Sequence, residues 1–341
     1  MDTKPKKMQM ARPRYFYEMT ISSSPHVHAP VSTRTIMRDV LIALLPALIG
    51  SVCFFGFRAL TVTLVSALGC WFFEWAWCKL LHKPCHTDDL SCLVTGVLLA
   101  FVCPVTIPYW TILLGDFFAI IIVKMLFGGL GKNFVNPALA GRAFMFSWPV
   151  LMSNWVKVGY GNSVSVFGTA DAVTAATPLA SLHQGQLPEA SLSQLFLGNV
   201  GGCIGETSAI LLLLGFAYLL WRKVITARIP VAYIATVAVL AFLFPRGNNG
   251  MVWMGYQMFS GGLMLGAIFM ATDYVTSPLT AQGQIVYGMG CGVLTILIRY
   301  FGGYNEGVSY AILVMNACVV LLDRIGRPVK FGAPKKEAAK K

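Results

Sequence analysis

Apolar residues along this chain gather into ten long stretches, at about 39–57, 59–81, 90–104, 107–127, 136–152, 205–222, 228–245, 257–272, 284–300 and 308–322. Each is near the roughly 17–25 residues a helix needs to cross a hydrocarbon core, although several are shorter or interrupted. The pattern predicts an all-α membrane protein with about ten transmembrane helices. Several stretches carry helix breakers: Pro104 and Pro108 flank the third-to-fourth transition, Asn136-Pro137 opens the fifth, and Ser277-Pro278 follows the eighth. Backbone groups freed at membrane depth must be satisfied by protein, water or a ligand. The breaks therefore mark either tight turns or the walls of a cavity.

Two segments look related, one beginning Phe127-Gly128-Gly129 and the other Phe301-Gly302-Gly303. Both follow the fourth stretch of a five-stretch half. Five is odd, so a second copy enters the membrane in the opposite sense, which predicts two five-helix inverted repeats of the kind found in transporters. The expected organisation is a polar tail over 1–38, a first half over 39–152, a long loop over 153–204, a second half over 205–322 and a basic tail over 323–341.

Composition supports a membrane solvent: 56% of the 341 residues are hydrophobic and only 12% charged. The first 38 residues are polar and lack the apolar core and cleavage site of a secretory signal, so the tail is expected to stay in the cytoplasm. With ten spans the two tails share one side, and 22 of the 26 Lys and Arg residues fall there. The other face receives Arg58, Lys157, Arg246 and Arg299. This is the asymmetry of the positive-inside rule, and it accounts for the formal net charge of +12 without nucleic acid. Both termini are then cytoplasmic and the long loop faces outward. Nine cysteines are scattered without a CxxC pair or metal-ligand cluster. They read as small packing residues, with Cys103 or Cys203 also able to meet a neighbouring subunit's iron–sulfur centre.

The sharpest signal lies in the long loop, where 171–179 read Asp-Ala-Val-Thr-Ala-Ala-Thr-Pro-Leu. The pattern Asp-x-x-(Ser/Thr)-(Gly/Ala)-Ala-Thr resembles the acceptor at which a flavin transferase joins the phosphate of FMN to a threonine. Thr177 supplies the hydroxyl, and Pro178 holds the residue before it in an extended or turn conformation. Ala175 and Ala176 leave space for the transferase and the ring, while Asp171 and Thr174 complete the acceptor segment. A Ser/Thr-rich linker is the plainer reading of the same residues.

Around that motif the chain resembles the NqrB/RnfD family, and specifically the D subunits of Rnf-type complexes. The segments that carry the resemblance run nearly end to end: Ser24 to His28, Ala43 to Ala47, Leu93 to Ala100, Phe127 to Phe144, the Thr177 loop, Gly261 to Asp273 and Gly302 to Ala311. Ala175 stands where Gly is the commoner residue. The resemblance implies a bacterial cytoplasmic (inner) membrane subunit of an ion-translocating ferredoxin:NAD oxidoreductase, not an enzyme on its own. It implies covalent FMN on Thr177, electron relay, and coupled sodium or proton movement. It also implies a non-covalent riboflavin or FMN, for which Asn133 and Asn136 are the candidate contacts, helix capping being the equal alternative. Implied partners are a second flavin-carrying subunit, iron–sulfur subunits, a flavin transferase and membrane lipid.

Ionisable groups inside a bilayer are costly, so each is a functional candidate. Asp116, Lys124 and Asp273 are the ion-path candidates, with Glu74 also inside a stretch. Arg142 is a candidate for neutralising a flavin or lipid phosphate, and Lys124 could instead reach the surface. A transporter or channel subunit with no redox cofactor, or a passive scaffold, fits the breaks and the repeat equally well. The Thr177 motif discriminates between them.

Overall fold

The computed structural model describes residues 31–82, 87–155, 177–206, 208–247 and 249–326. All of its helices belong to one compact unit, which begins at Thr33. Asp171, Thr174, Ala175, Ala176 and most of both tails lie outside the described residues.

The described chain is helical throughout, with no strand. The first half comprises α1 (Thr33–Phe55), α2 (Phe57–Leu80), α3 (Ser91–Phe101), α4 (Tyr109–Phe117) and α5 (Pro137–Met145). A connecting region contributes α6 (Pro149–Met152), α7 (Pro178–His183) and α8 (Leu192–Leu197). The second half comprises α9 (Ala209–Trp221), α10 (Arg228–Leu243), α11 (Gly250–Phe259), α12 (Leu263–Leu265), α13 (Ala281–Phe301), α14 (Val308–Ala317) and α15 (Val319–Leu322). Three of these, α1, α2 and α13, are long and apolar enough to cross a membrane by length and composition.

Small residues bring the helices together. Lipid offers no hydrophobic drive between helices, so close packing has to supply the association. At Gly96 an added Cβ would stand 2.7 Å from the Ala67 Cα, which makes this glycine the contact point of α2 and α3. Gly288 and Gly292, a GxxxG pair on α13, meet Ala232 and Thr236 of α10 in the same way. Gly215 of α9 lies against the Ala43 carbonyl of α1, 2.3 Å from where its Cβ would be.

The short helices depart from the predicted stretches at identifiable points. The fourth stretch is α4 continued by a π-helical segment, Phe118–Met125. The fifth ends at Met145, and α6 restarts at Pro149, which suits the first turn of a helix. The predicted 257–272 helix is broken at Ser260–Gly262: α11 starts earlier, at Gly250, and the chain resumes as α12 and a second π-helical segment, Gly266–Met270. Gly261 takes φ +68, which glycine adopts without strain. The 153–204 loop is not featureless, since it contains α7 and α8, the latter closed by a capping box between Ser191 and Gln194.

Four residues assigned to one face or the other in the charge count are buried within the bundle: Arg58, Lys124, Arg142 and Arg299. Arg58 donates to the carbonyls of Val105 and Ile107, satisfying the backbone freed between α3 and α4. Arg299 does the same for the α11 break, donating to the carbonyls of Gln257, Ser260 and Glu306. In both places a buried guanidinium replaces the water that such a break would otherwise require.

Candidate functional site

Thr177 is the N-cap of α7. Its φ of −71° and ψ of 148° are extended, as the following proline requires, and its hydroxyl accepts the Ala180 N–H at 3.3 Å. Pro178, Leu179 and Leu182 bury one side of this short helix. Its far end is fastened to α13: His183 Nδ1 donates to the Arg299 carbonyl at 2.8 Å. Arg246 then donates to the carbonyls of His183 and Tyr300 while its guanidinium lies 4.6 Å from the Tyr300 ring centre.

Thr177 opens onto a cavity of about 500 Å³, within the range of roughly 300–1,000 Å³ typical of small-molecule sites. Its walls come from α5, α7, the 200–206 segment and the 303–310 segment, with backbone exposed at Gly201, Gly202 and Gly303. An added Cβ at Gly202 or Gly303 would meet nothing within 4 Å, so these glycines leave space rather than avoid a clash.

Arg142 forms part of the same cavity. It is 2% exposed and its Nη1 donates to Glu206 Oε1 at 3.3 Å, Glu306 Oε1 at 3.0 Å and Ser309 Oγ at 2.9 Å. Nη2 pairs with Glu306 Oε2 and approaches Cys203 Sγ at 3.7 Å. The Nε has no hydrogen-bond partner among the described residues. Arg142 thus meets the cavity already paired to two carboxylates. Sequence reasoning did not find Glu206 or Glu306. Glu306 sits inside the Gly302 to Ala311 segment that carries the family resemblance, so its position held a signal; Glu206 held none.

A second cavity, about 90 Å³, lies toward the N-terminal end of α5. Asn133, Asn136, Lys124 and Asp273 all line it. Asn136 caps α5, its side-chain oxygen accepting from Ala138 and Leu139 and its amide donating to the Met270 carbonyl. The Asn133 amide donates to the Val135 carbonyl. The capping role foreseen for Asn136 is therefore filled. Lys124 does not reach toward the surface: its ammonium is held by Glu74 Oε2 at 2.6 Å and Ser91 Oγ at 2.7 Å. Asp273 accepts from Thr276 Oγ at 3.1 Å.

Asp116 lines neither cavity. One of its carboxylate oxygens accepts from Ser66 at 2.7 Å and from the Cys70 thiol at 3.3 Å, while the other is buried without a partner among the described residues. The structure thus groups Thr177 with Arg142, and Asn133 and Asn136 with Lys124 and Asp273, and leaves Asp116 apart.

Residues 20–332 match the NQR2, RnfD, RnfE family. The chain belongs to that family. It is 47% identical over 321 residues to the D subunit of the Na(+)-translocating ferredoxin:NAD(+) oxidoreductase complex of Acetobacterium woodii, covering 93% of this chain and 96% of that protein. It is 44% identical to the D subunit of the proton-translocating ferredoxin:NAD(+) oxidoreductase complex of Clostridium ljungdahlii, over 92% of this chain and 96% of that one. The D subunit of an ion-translocating oxidoreductase complex of Actinobacillus succinogenes is 36% identical, with 90% and 96% covered. The resemblance read from the sequence is thereby borne out, and so is the all-helical, multi-pass membrane class.

Proposed function

We propose that this chain is the membrane subunit of an ion-translocating ferredoxin:NAD oxidoreductase complex and carries FMN in phosphoester linkage on Thr177. The observation that supports this most is the joining of motif and space: the acceptor threonine stands at the wall of a cavity large enough for a small ligand. Phe146, Tyr304 and Tyr310 give that cavity aromatic faces, which suit a planar ring. The Arg142 Nε supplies one buried donor without an acceptor among the described residues. When bound, the flavin supplies the electron-carrying chemistry, and the protein supplies its binding, orientation and electrostatics.

Within this reading Thr177 tethers, the glycine-lined wall admits, and Arg142 with its two carboxylates sets the local charge. A non-covalent riboflavin or FMN is assigned to the second cavity beside Asn133 and Asn136, whose small volume requires neighbouring side chains to move aside. Asp116, Lys124 and Asp273 remain the candidates for coupled sodium or proton movement, consistent with relatives of similar identity being named for different ions. The proposed setting is the bacterial cytoplasmic membrane, with both termini cytoplasmic, the Thr177 loop outside, and iron–sulfur and second flavin subunits as neighbours.

The test is co-expression with the cognate flavin transferase, followed by a denaturing gel viewed under ultraviolet light. The parent band should fluoresce and the Thr177→Ala band should be dark. Equal brightness would move the attachment elsewhere. A dark parent beside an active transferase would favour a transporter or channel with no redox cofactor.

A further inference from the structure

Glu206 and Glu306 come from segments a hundred residues apart, yet both turn an oxygen toward one point. A Cβ added at Gly262 would stand 2.4 Å from Glu206 Oε1 and 2.5 Å from Glu306 Oε1. The same two oxygens share a single donor atom, Arg142 Nη1. Their side chains are 5% and 19% exposed. The second arginine in this region, Arg299, acts on both carboxylates only through its field, because its donors go to carbonyls and to Gln257. Other groups facing the pair are Cys203 next to Glu206, Cys103 at the end of α3, and Tyr310 on α14. None of these brings a second positive charge.

Two carboxylates that converge in a poorly solvated place and share hydrogen bonds from one guanidinium do not readily both stay ionised, even with the field of a second arginine nearby. The stable arrangement keeps one proton between them, so that the pair and Arg142 together are neutral. We propose that Glu206 and Glu306 form a proton-sharing carboxyl pair that gives its proton to the redox ring of the ligand in the Thr177 cavity when that ring is reduced. This rests on the flavin reading of the cavity. The balance is direct: two electrons arrive from one-electron iron–sulfur donors, one O–H bond at the pair breaks, and one N–H bond forms on the ring. Both carboxylates are then ionised against Arg142, and reoxidation of the ring returns the proton.

The arrangement has a purpose that a plain ion pair lacks. A reduced ring adds negative charge to a cavity of low dielectric, and moving a proton from the pair to the ring lets the reaction proceed without drawing one from bulk water at that moment.

The experiment is redox-triggered infrared difference spectroscopy on the assembled complex, followed together with the visible bleaching of flavin. In the parent, reduction should remove a protonated-carboxyl C=O band that shifts in deuterium oxide. The band should be lost in Glu206→Gln and in Glu306→Gln, each still carrying covalent flavin fluorescence. Should either variant fail to assemble, growth of the parent on heavy-carbon glutamate decides instead, because the band must then move. Flavin bleaching with no carboxyl change, a band that survives both substitutions, or a band unmoved by the label would overturn the proposal while leaving the flavin reading intact. A parent complex with no flavin in this chain would overturn both, and the missing bleach identifies that case.

Discussion

Replacing Lys124 with methionine isolates the worth of a buried charge in this bundle. Its ammonium sits 2.6 Å from Glu74 Oε2, and the two side chains are 2% and 5% exposed. Removing one partner of such a pair leaves an uncompensated charge in the interior and costs about 3–5 kcal/mol. Ser91 cannot take over, because its hydroxyl already donates to Asp89 Oδ1 at 2.6 Å and so has no proton to offer Glu74. Lys124→Met should therefore lose stability in that range. The double substitution Lys124→Met with Glu74→Met replaces both charges by apolar groups of similar length and should recover most of the loss, since a buried pair often breaks even against a hydrophobic one. The measurement is the unfolding equilibrium in mixed micelles, read by tryptophan fluorescence, for the parent, both singles and the double. A double variant as unstable as Lys124→Met alone would refute the reasoning, because the penalty would then lie in packing and not in the stranded carboxylate.

Gly96→Ala should destabilise by roughly 1–3 kcal/mol through overpacking, because its Cβ would land on the α2 backbone; Gly303→Ala, which meets nothing within 4 Å, should leave stability unchanged in the same assay. Asn136→Ala removes the cap of α5 and should cost about 0.5–2 kcal/mol, read as a lower unfolding midpoint. Thr177→Ser keeps both the hydroxyl and the cap and should give a fluorescent band where Thr177→Ala gives none; a dark serine band would show that the methyl group is needed for attachment. His183→Ala releases α7 from the Arg299 carbonyl and should speed proteolysis near Thr177 without unfolding the bundle, checked by limited digestion.

Length and apolar content carried the helical class, and the Thr177 motif carried its own position, because both are local properties of the sequence. The breaks were half legible. Asn136-Pro137 and Ser277-Pro278 announced themselves, whereas the Ser260-Gly261-Gly262 interruption was passed over because it lay within a stretch read as one span, and it is Arg299 that satisfies the freed backbone there. Charge was the least legible quantity. Counting Lys and Arg by side put Arg58 and Arg299 at the outer face, yet each is turned inward to carbonyls that no linear pattern reveals. Glu206 escaped notice for the same reason: its meaning depends on Arg142 and Glu306, far away in the chain and brought together only by folding.

The fastening of α7 to α13 has a further consequence. The threonine hangs from the second half of the molecule, while the guanidinium opposite it stands on α5 of the first. Any sliding of one set of helices past the other must open or pinch the gap between tether and counter-charge. A small mechanical displacement is in this way written directly into the electrical surroundings of whatever the tether carries, and by reciprocity a change of charge there pushes back on the helices.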